Sequence, residues 1–577
     1  MMEPEIKNAG APCEPQATPM VTGFGTASLD GGPPYSATRF VLSFKLPGPA
    51  APNNHSSAHT PAGVGKPAYR EAGPKDWIMA NKEARHNYLT AETREVLFEH
   101  ATWMVMACEA QPITMTAPDG LELKLKGEVR PPAIVLFEDT CGVELLRRGF
   151  LIVEVAFRGN DSADLRLDDL LLFNELFRYW REPFKGDGQA IPSHSDLFQK
   201  QLQDFAEPFR KMTGRPEQDL APNTPGVRKD LYGERWLSLL QVPFADGRAP
   251  LAGANCTADD FFGDYADERA FVWTRALFSK REELELIVPG GRDADKKWKA
   301  EASPESGFRK MFGYWVKLLN ADQPALKWDK GVPSSYDSCI ETNKTTAFER
   351  DWAAQRTYRR WEDYNCYYGF NSFSAAMMSE ACKNPPTWQH WFQMYFDQML
   401  LLFYVRVTLF QFSRQLTEIS GSMLGRRGEQ PSDKYLEQWQ GGFRRLRSAF
   451  TCFENLYQFP LLSNQQQAVE MYVYLRKGMD ISDLYDEISR EIQGSDALLE
   501  SEVEERRNQL SNTLNRLAVL GFGVSAAFGM FQIEAMTNLI SKCPWSLGLS
   551  ILLFGVFAGL WCWLFLLMLK WFKKKAL

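Results

Sequence analysis

The chain lacks the marks of most enzymes. It has no G-x-x-x-x-G-K-[ST] phosphate loop, no G-x-G-x-x-G turn and no motif joining a nucleophile to a base, which points away from catalysis. It lacks a basic surplus: 65 Lys and Arg against 72 Asp and Glu give a net charge of −7 and a pI near 5.7, so direct nucleic-acid binding is not expected. Its ten cysteines are scattered without a C-x-x-C pair, which supplies no zinc site and suits a reducing compartment. No apolar segment opens the chain as a signal peptide would, so the bulk is expected on the cytoplasmic side.

What the chain does have is two apolar runs near its end. As helices, Leu517 to Ile533 would span roughly 26 Å and Leu547 to Phe572 about 39 Å, against a bilayer core of about 30 Å. Arg506, Arg507 and Arg516 precede the first run, and Lys570, Lys573, Lys574 and Lys575 follow the second. Basic flanks prefer the cytoplasm, so both termini are expected inside, with Trp561, Trp563 and Trp571 in an aromatic belt. A helix at 461–516 feeds the first span (517–533); an outer loop (534–546), the second span (547–572) and a basic tail (573–577) follow.

Upstream, 1–75 is rich in Pro, Gly, Ala and Ser and reads as largely disordered, apart from an alternating strand at Thr38 to Leu46. His55 and His59 in this segment have i,i+4 spacing among Pro, Asn and Ser, a weak metal signal. Residues 76–288 form an α/β domain: a helix at Ala91 to Cys108, strands at Ala133 to Glu138 and Phe150 to Phe157, a helix at Leu167 to Trp180, and strands at Trp236 to Val242 and Ala270 to Leu277. Phe150 to Phe157 is apolar almost throughout, which suits a strand buried on both faces. Residues 289–460 are mostly helical with an insertion; Trp388 to Phe412 carries Asp397 and Arg406, too costly for a bilayer centre, and reads as a buried helix.

Three groups of residues carry candidate chemistry. Asp259, Asp260 and Asp264 belong to an acidic stretch that reads either as a divalent-cation site or as a solvated loop, since its spacing is not that of a calcium-binding loop. Arg356, Arg359, Arg360, Trp361 and Tyr364 mix cations with aromatic rings, a combination that stacks a base and holds a phosphate, or else packs as core with a paired surface. Asn508, Asn512, Asn515, Val519, Phe522, Ala526 and Gly529 recur at steps of four and three, polar first and then apolar and small. Such a stripe suits a vestibule leading to a hydrophobic constriction, or Asn residues that simply face solvent.

A large N-terminal body, a long helix continuous with the first apolar run, Gly529 and Met530 at its end, a short loop and a basic tail resemble the CorA family of divalent-cation channels. The resemblance covers roughly 459–577. It implies an α+β/α cytoplasmic body with a long stalk helix and a C-terminal two-helix transmembrane hairpin, in a bacterial inner membrane among lipid. It also implies homopentamers with a metal cation such as magnesium as the transported or regulatory ion, and no other cofactor. The family's first membrane helix ends in Gly-Met-Asn; here Phe531 stands at the Asn position, so Gln532 or Glu534 is left to form the polar ring. A divergent CorA-like branch serves CRISPR defence as effectors gated by a nucleotide second messenger, and Arg356 to Phe370 is similar in spirit to it. The functions expected are therefore a cation channel or transporter, a messenger-gated effector pore, or a non-conducting anchored signalling protein.

Overall fold

The computed structural model describes residues 36–46, 67–115, 125–138, 143–157, 167–181, 204–214, 231–253, 255–263, 269–278, 315–320, 347–380, 390–424, 433–459 and 461–540, with a few single positions beyond. Its centre is an eleven-stranded mixed sheet. The strands are β1 (Ser36–Lys45), β2 (Tyr69–Glu71), β3 (Ala101–Met106), β4 (Gln111–Met115), β5 (Leu125–Val129), β6 (Ala133–Phe137), β7 (Arg148–Phe157), β8 (Phe271–Phe278), β9 (Thr357–Tyr358), β10 (Cys366–Phe370) and β11 (Ser374–Glu380). The main path runs β2-β3-β6-β7-β1-β8-β11-β10-β9, with β4 and β5 paired beside β7. All pairings are antiparallel except β8 with β11.

β1 sits in the middle, paired to β7 from Ser36↔Phe157 to Lys45↔Arg148 and to β8 from Ala37↔Arg275 to Val41↔Phe271. Its period-two alternation sorts it cleanly. Phe40, Leu42 and Phe44 join one core, with Phe40 against Phe177 at 4.6 Å and Phe44 over Gly149, where a Cβ would lie 2.2 Å from the ring. That core is closed by α3 (Leu167–Phe177) and α4 (Leu231–Leu240), with Trp236 against Phe177. The opposite face meets the first part of α7 (Met394–Leu424), where Tyr404 stacks on Phe137 at 4.6 Å and Phe403 lies 5.6 Å from Phe150. All ten residues of β7 are buried, as an apolar run covered on both faces should be.

Two expected elements change type. Ala91 to Cys108 becomes α2 (Ala91–Arg94), a π-turn at Glu95–His100 and then β3, because Trp103, Met104 and Val105 find strand partners on β6. Trp236 to Val242 is mostly the end of α4, whose turns deliver Trp236 to the aromatic core. Short-range apolar patterning does not distinguish a buried strand from a buried helix, and packing decides.

The buried acid inside α7 is paired. Asp397 is fully buried and takes a bidentate contact from Arg85 of α1 (Lys82–Tyr88), with Nε at 2.7 Å from Oδ2. Across the sheet Arg39 meets Glu154 at 2.7 Å and stacks on Phe392 and Phe396 at 4.4 Å each, while Arg130 reaches the second Glu154 oxygen at 3.0 Å. Burial pushes the Glu154 carboxyl up, but Arg130 and Arg39 outweigh it and hold it below the usual range. Among the scattered cysteines Cys452 is disulfide-bonded, whereas Cys108, Cys256 and Cys366 are in no disulfide.

The chain divides into two compact units, 1–411 with 452–484, and 412–451 with 485–577. The second holds the end of α7, most of α8 (Asp433–Tyr457) and nearly all of α10 (Ile481–Ile540), a helix of 60 residues. Within it Phe412 packs on Phe450, Phe450 stacks on Tyr485, and Arg447 pairs with Asp496.

The expected membrane architecture is corrected here. Among the described residues no helix is long and apolar enough to cross a membrane. The run from Leu517 to Ile533 lies between Arg516 and Glu534 and measures roughly 26 Å as helix, short of a core of about 30 Å. It is the interior of α10, which continues to Ile540 through the start of the expected outer loop. Upstream, 461–516 is not one helix: α9 (Gln466–Gly478) ends and α10 begins across Asp480, whose φ of 52° breaks the helical path. The second run, 547–572, lies outside the described residues apart from isolated positions, as do 1–35, His55, His59 and the tail. The fold is a mixed α/β body around a large sheet, with helices beside it, and neither the transmembrane hairpin nor a multi-pass bacterial inner-membrane protein embedded in lipid is supported.

Candidate functional site

The cation-rich aromatic segment folds at the sheet edge. α6 (Ala347–Arg356) leads into β9, a short 3-10 turn at Glu362–Tyr364 follows, and Asn365 at φ 51° turns the chain into β10. Thr357 fixes the hairpin from below: its hydroxyl donates to the Ala353 carbonyl at 2.6 Å and accepts from Trp315 Nε1 at 2.9 Å. Its neighbour Tyr358 is almost fully buried and donates to Glu470 Oε2 on α9 at 2.6 Å. Arg360 donates to the other oxygen of the same carboxylate, also at 2.6 Å. Arg356 rests over Trp352 at 4.6 Å, and Trp361 meets the exposed Tyr364 edge-on. Arg359, half-buried, forms no ion pair among the described residues.

Behind this turn lies a group of four tyrosines, of which the marked segment 356–370 supplies Tyr358 and Tyr368, while Tyr88 and Tyr395 arrive unmarked from other elements. The rings form a chain from Tyr358 to Tyr368 to Tyr395 to Tyr88, Tyr395 lying 6.2 Å from Tyr88 and 5.6 Å from Tyr368. The hydroxyls of Tyr88 and Tyr395 and Trp361 Nε1 are buried and complete no hydrogen bond of ordinary geometry. Burial raises the Tyr88, Tyr358 and Tyr395 hydroxyls far above the ordinary phenol range, so all three keep their protons.

The start of α10 is held from the same edge. Ser372, in the β10–β11 turn, donates to Asp480 Oδ2 at 2.6 Å and lies 3.3 Å from the Gly478 carbonyl. A Cβ on Gly478 would stand 2.8 Å from Cβ of Phe370, so only glycine allows this approach. Arg406, the second charge inside α7, donates to the Ser372 carbonyl. Sheet edge, α9 and the first turn of α10 are thus tied within one unit.

The other candidates are not brought together. Asp260 caps α5 (Ala258–Phe262), accepting from the Thr257 amide at 2.7 Å and the Thr257 hydroxyl at 2.8 Å, and Asp259 faces Arg181. The Thr257 bonds hold the Asp260 carboxyl below its usual range. Asp264 lies outside the described residues, and among those described no group of three or more His, Cys, Asp or Glu could hold a metal. The stripe Asn508, Asn512, Asn515, Val519, Phe522 and Ala526 is exposed on α10, with Gly529 half-exposed. Met530, Phe531, Gln532 and Glu534 follow on the same helix, their side chains outside the described set. No known protein family, curated protein or solved structure matches the chain.

Proposed function

We propose that this is a self-assembling interaction protein whose working surface is the outer part of α10. One observation carries the reading: from Val503 onward the described side chains of α10 are largely exposed, although Leu510, Leu514, Val519, Phe522 and Ile533 are all large and apolar. Large apolar side chains left exposed in this number along one helix favour an interaction site over a solvated helix. Copies of the same chain fit it. Between 503 and 540, Glu504, Glu505 and Glu534 are balanced by Arg506, Arg507 and Arg516, so no net charge opposes bringing these helices side by side. The segment is about five heptads long, ample length for helices to pack side by side.

Light scattering on the full chain in detergent-free buffer tests this. The expected mass is a discrete multiple of 65.8 kDa, the pentamer of the resemblance being one such state. Leu510→Glu with Leu514→Glu should reduce it to the monomer. A monomer at every concentration of the unmodified chain, or a mass unmoved by the double substitution, would overturn the proposal.

A further inference from the structure

We propose that the β9–β10 turn is a binding site for a small oxyanion, and that Glu470 of α9 occupies it from within the chain. The carboxylate sits as a bound anion would. Each of its oxygens takes one short bond, Oε2 from the buried Tyr358 hydroxyl and Oε1 from the Arg360 guanidinium, and Arg360 and Glu470 are each about one-third exposed. Burial pushes Glu470 up, but the Tyr358 and Arg360 bonds prevail and keep it ionised.

The site offers more than a carboxylate uses. Trp361 Nε1 and the Tyr395 hydroxyl lie close enough to interact with each other, and Arg356 Nε, at the start of the turn, is buried without a hydrogen-bond partner. Two oxygens are spent on Tyr358 and Arg360, whereas a phosphate brings four. Leaving a buried donor unmet is costly, so a ligand with further acceptors gains where Glu470 cannot. Charge agrees. Arg356, Arg359 and Arg360 against Glu362 and Asp363 leave one positive charge on the segment, and Glu470 cancels it. An incoming singly charged oxyanion therefore replaces Glu470 without changing the net charge at the turn, and the displaced side chain has solvent beside it. α9 then loses its bonds to the sheet edge.

Calorimetric titration with inorganic phosphate at fixed ionic strength, with acetate as the carboxylate arm, tests the inference. Glu470→Gln should tighten phosphate at least tenfold over the unmodified chain, and Arg360→Gln should abolish binding in either background. In the unmodified chain, phosphate should speed amide exchange across 466–478, and the Arg360→Gln chain should show no such response. This second readout stands even if Glu470→Gln folds poorly. Binding no tighter in Glu470→Gln, phosphate binding that survives Arg360→Gln, or α9 exchange indifferent to phosphate would each reduce the contact to a structural tie.

Discussion

β7 and the outer part of α10 are both rich in large apolar residues, yet every residue of β7 is buried while Val519 and Phe522 are 72% and 81% exposed. Backbone chemistry separates them. A strand satisfies its N–H and C=O groups only through neighbours, so β7 is drawn between β6, β5 and β1, and its side chains follow into the core. A helix satisfies its own ladder and can form before its apolar face has a partner. The body is therefore over-determined, and its substitutions should be expensive. On the proposed reading the outer part of α10 waits for a partner, and its substitutions should be silent until one arrives.

The largest effect is expected where the body buries charge. Arg85→Ala removes both hydrogen bonds to Asp397 and leaves a carboxylate alone in the interior, where burial already pushes it above the ordinary aspartate range. Breaking a buried pair from one side costs about 3–5 kcal/mol. Chemical denaturation of the variant should show a loss of that size, and Arg85→Met with Asp397→Leu should recover part of it. If Arg85→Ala loses under about 1 kcal/mol, the body is not over-determined at this point.

A smaller loss should follow acidification. Burial lowers the His390 imidazole to about 4, so the fold holds it neutral while the unfolded chain takes up a proton below about 6.5. Because the unfolded state binds more protons in that window, stability falls as pH drops, by up to about 3 kcal/mol at pH 4. Burial, followed by the Lys82, Arg94 and Arg85 charges, lowers His86 in the same direction. Glu154, depressed by its arginines, adds its own loss only at lower pH. His390→Gln should flatten the midpoint-versus-pH curve between pH 4 and 6.5. An unchanged slope would show that His390 is protonated in the fold.

The parts of this fold that were legible in the sequence are those whose pattern is local. The alternation of Thr38 to Leu46 and the apolar run of Phe150 to Phe157 marked β1 and β7, and Asp397 and Arg406 marked α7 as a buried helix. Trp236 was misread because a short apolar run suits either secondary structure. The apolar run at Leu517 suggested a membrane because hydropathy records what a side chain avoids and not what covers it. For the candidate site, Arg360 and Trp361 were visible as a cluster, but their partners were not. Glu470 lies 110 residues away from Arg360, and Tyr88 and Tyr395 arrive from other elements. Only the topology could bring them together.

The smallest effect is expected at Phe522. Phe522→Ser exchanges a large apolar ring for a small polar group, a change that in β7 would empty a core position. On α10 the ring already faces water, so little burial is lost in the isolated chain. Phe and Ser also have similar helix propensities, so the helix itself is barely perturbed. In the monomeric background of Leu510→Glu with Leu514→Glu, the denaturation midpoint should move by no more than about 0.5 kcal/mol. In the assembled chain the same substitution removes an apolar contact between copies and should lower the oligomer's thermal midpoint in a concentration-dependent way. A loss above about 1 kcal/mol in the monomer would mean that another part of the same chain already covers this face, and the contrast between body and helix would fail.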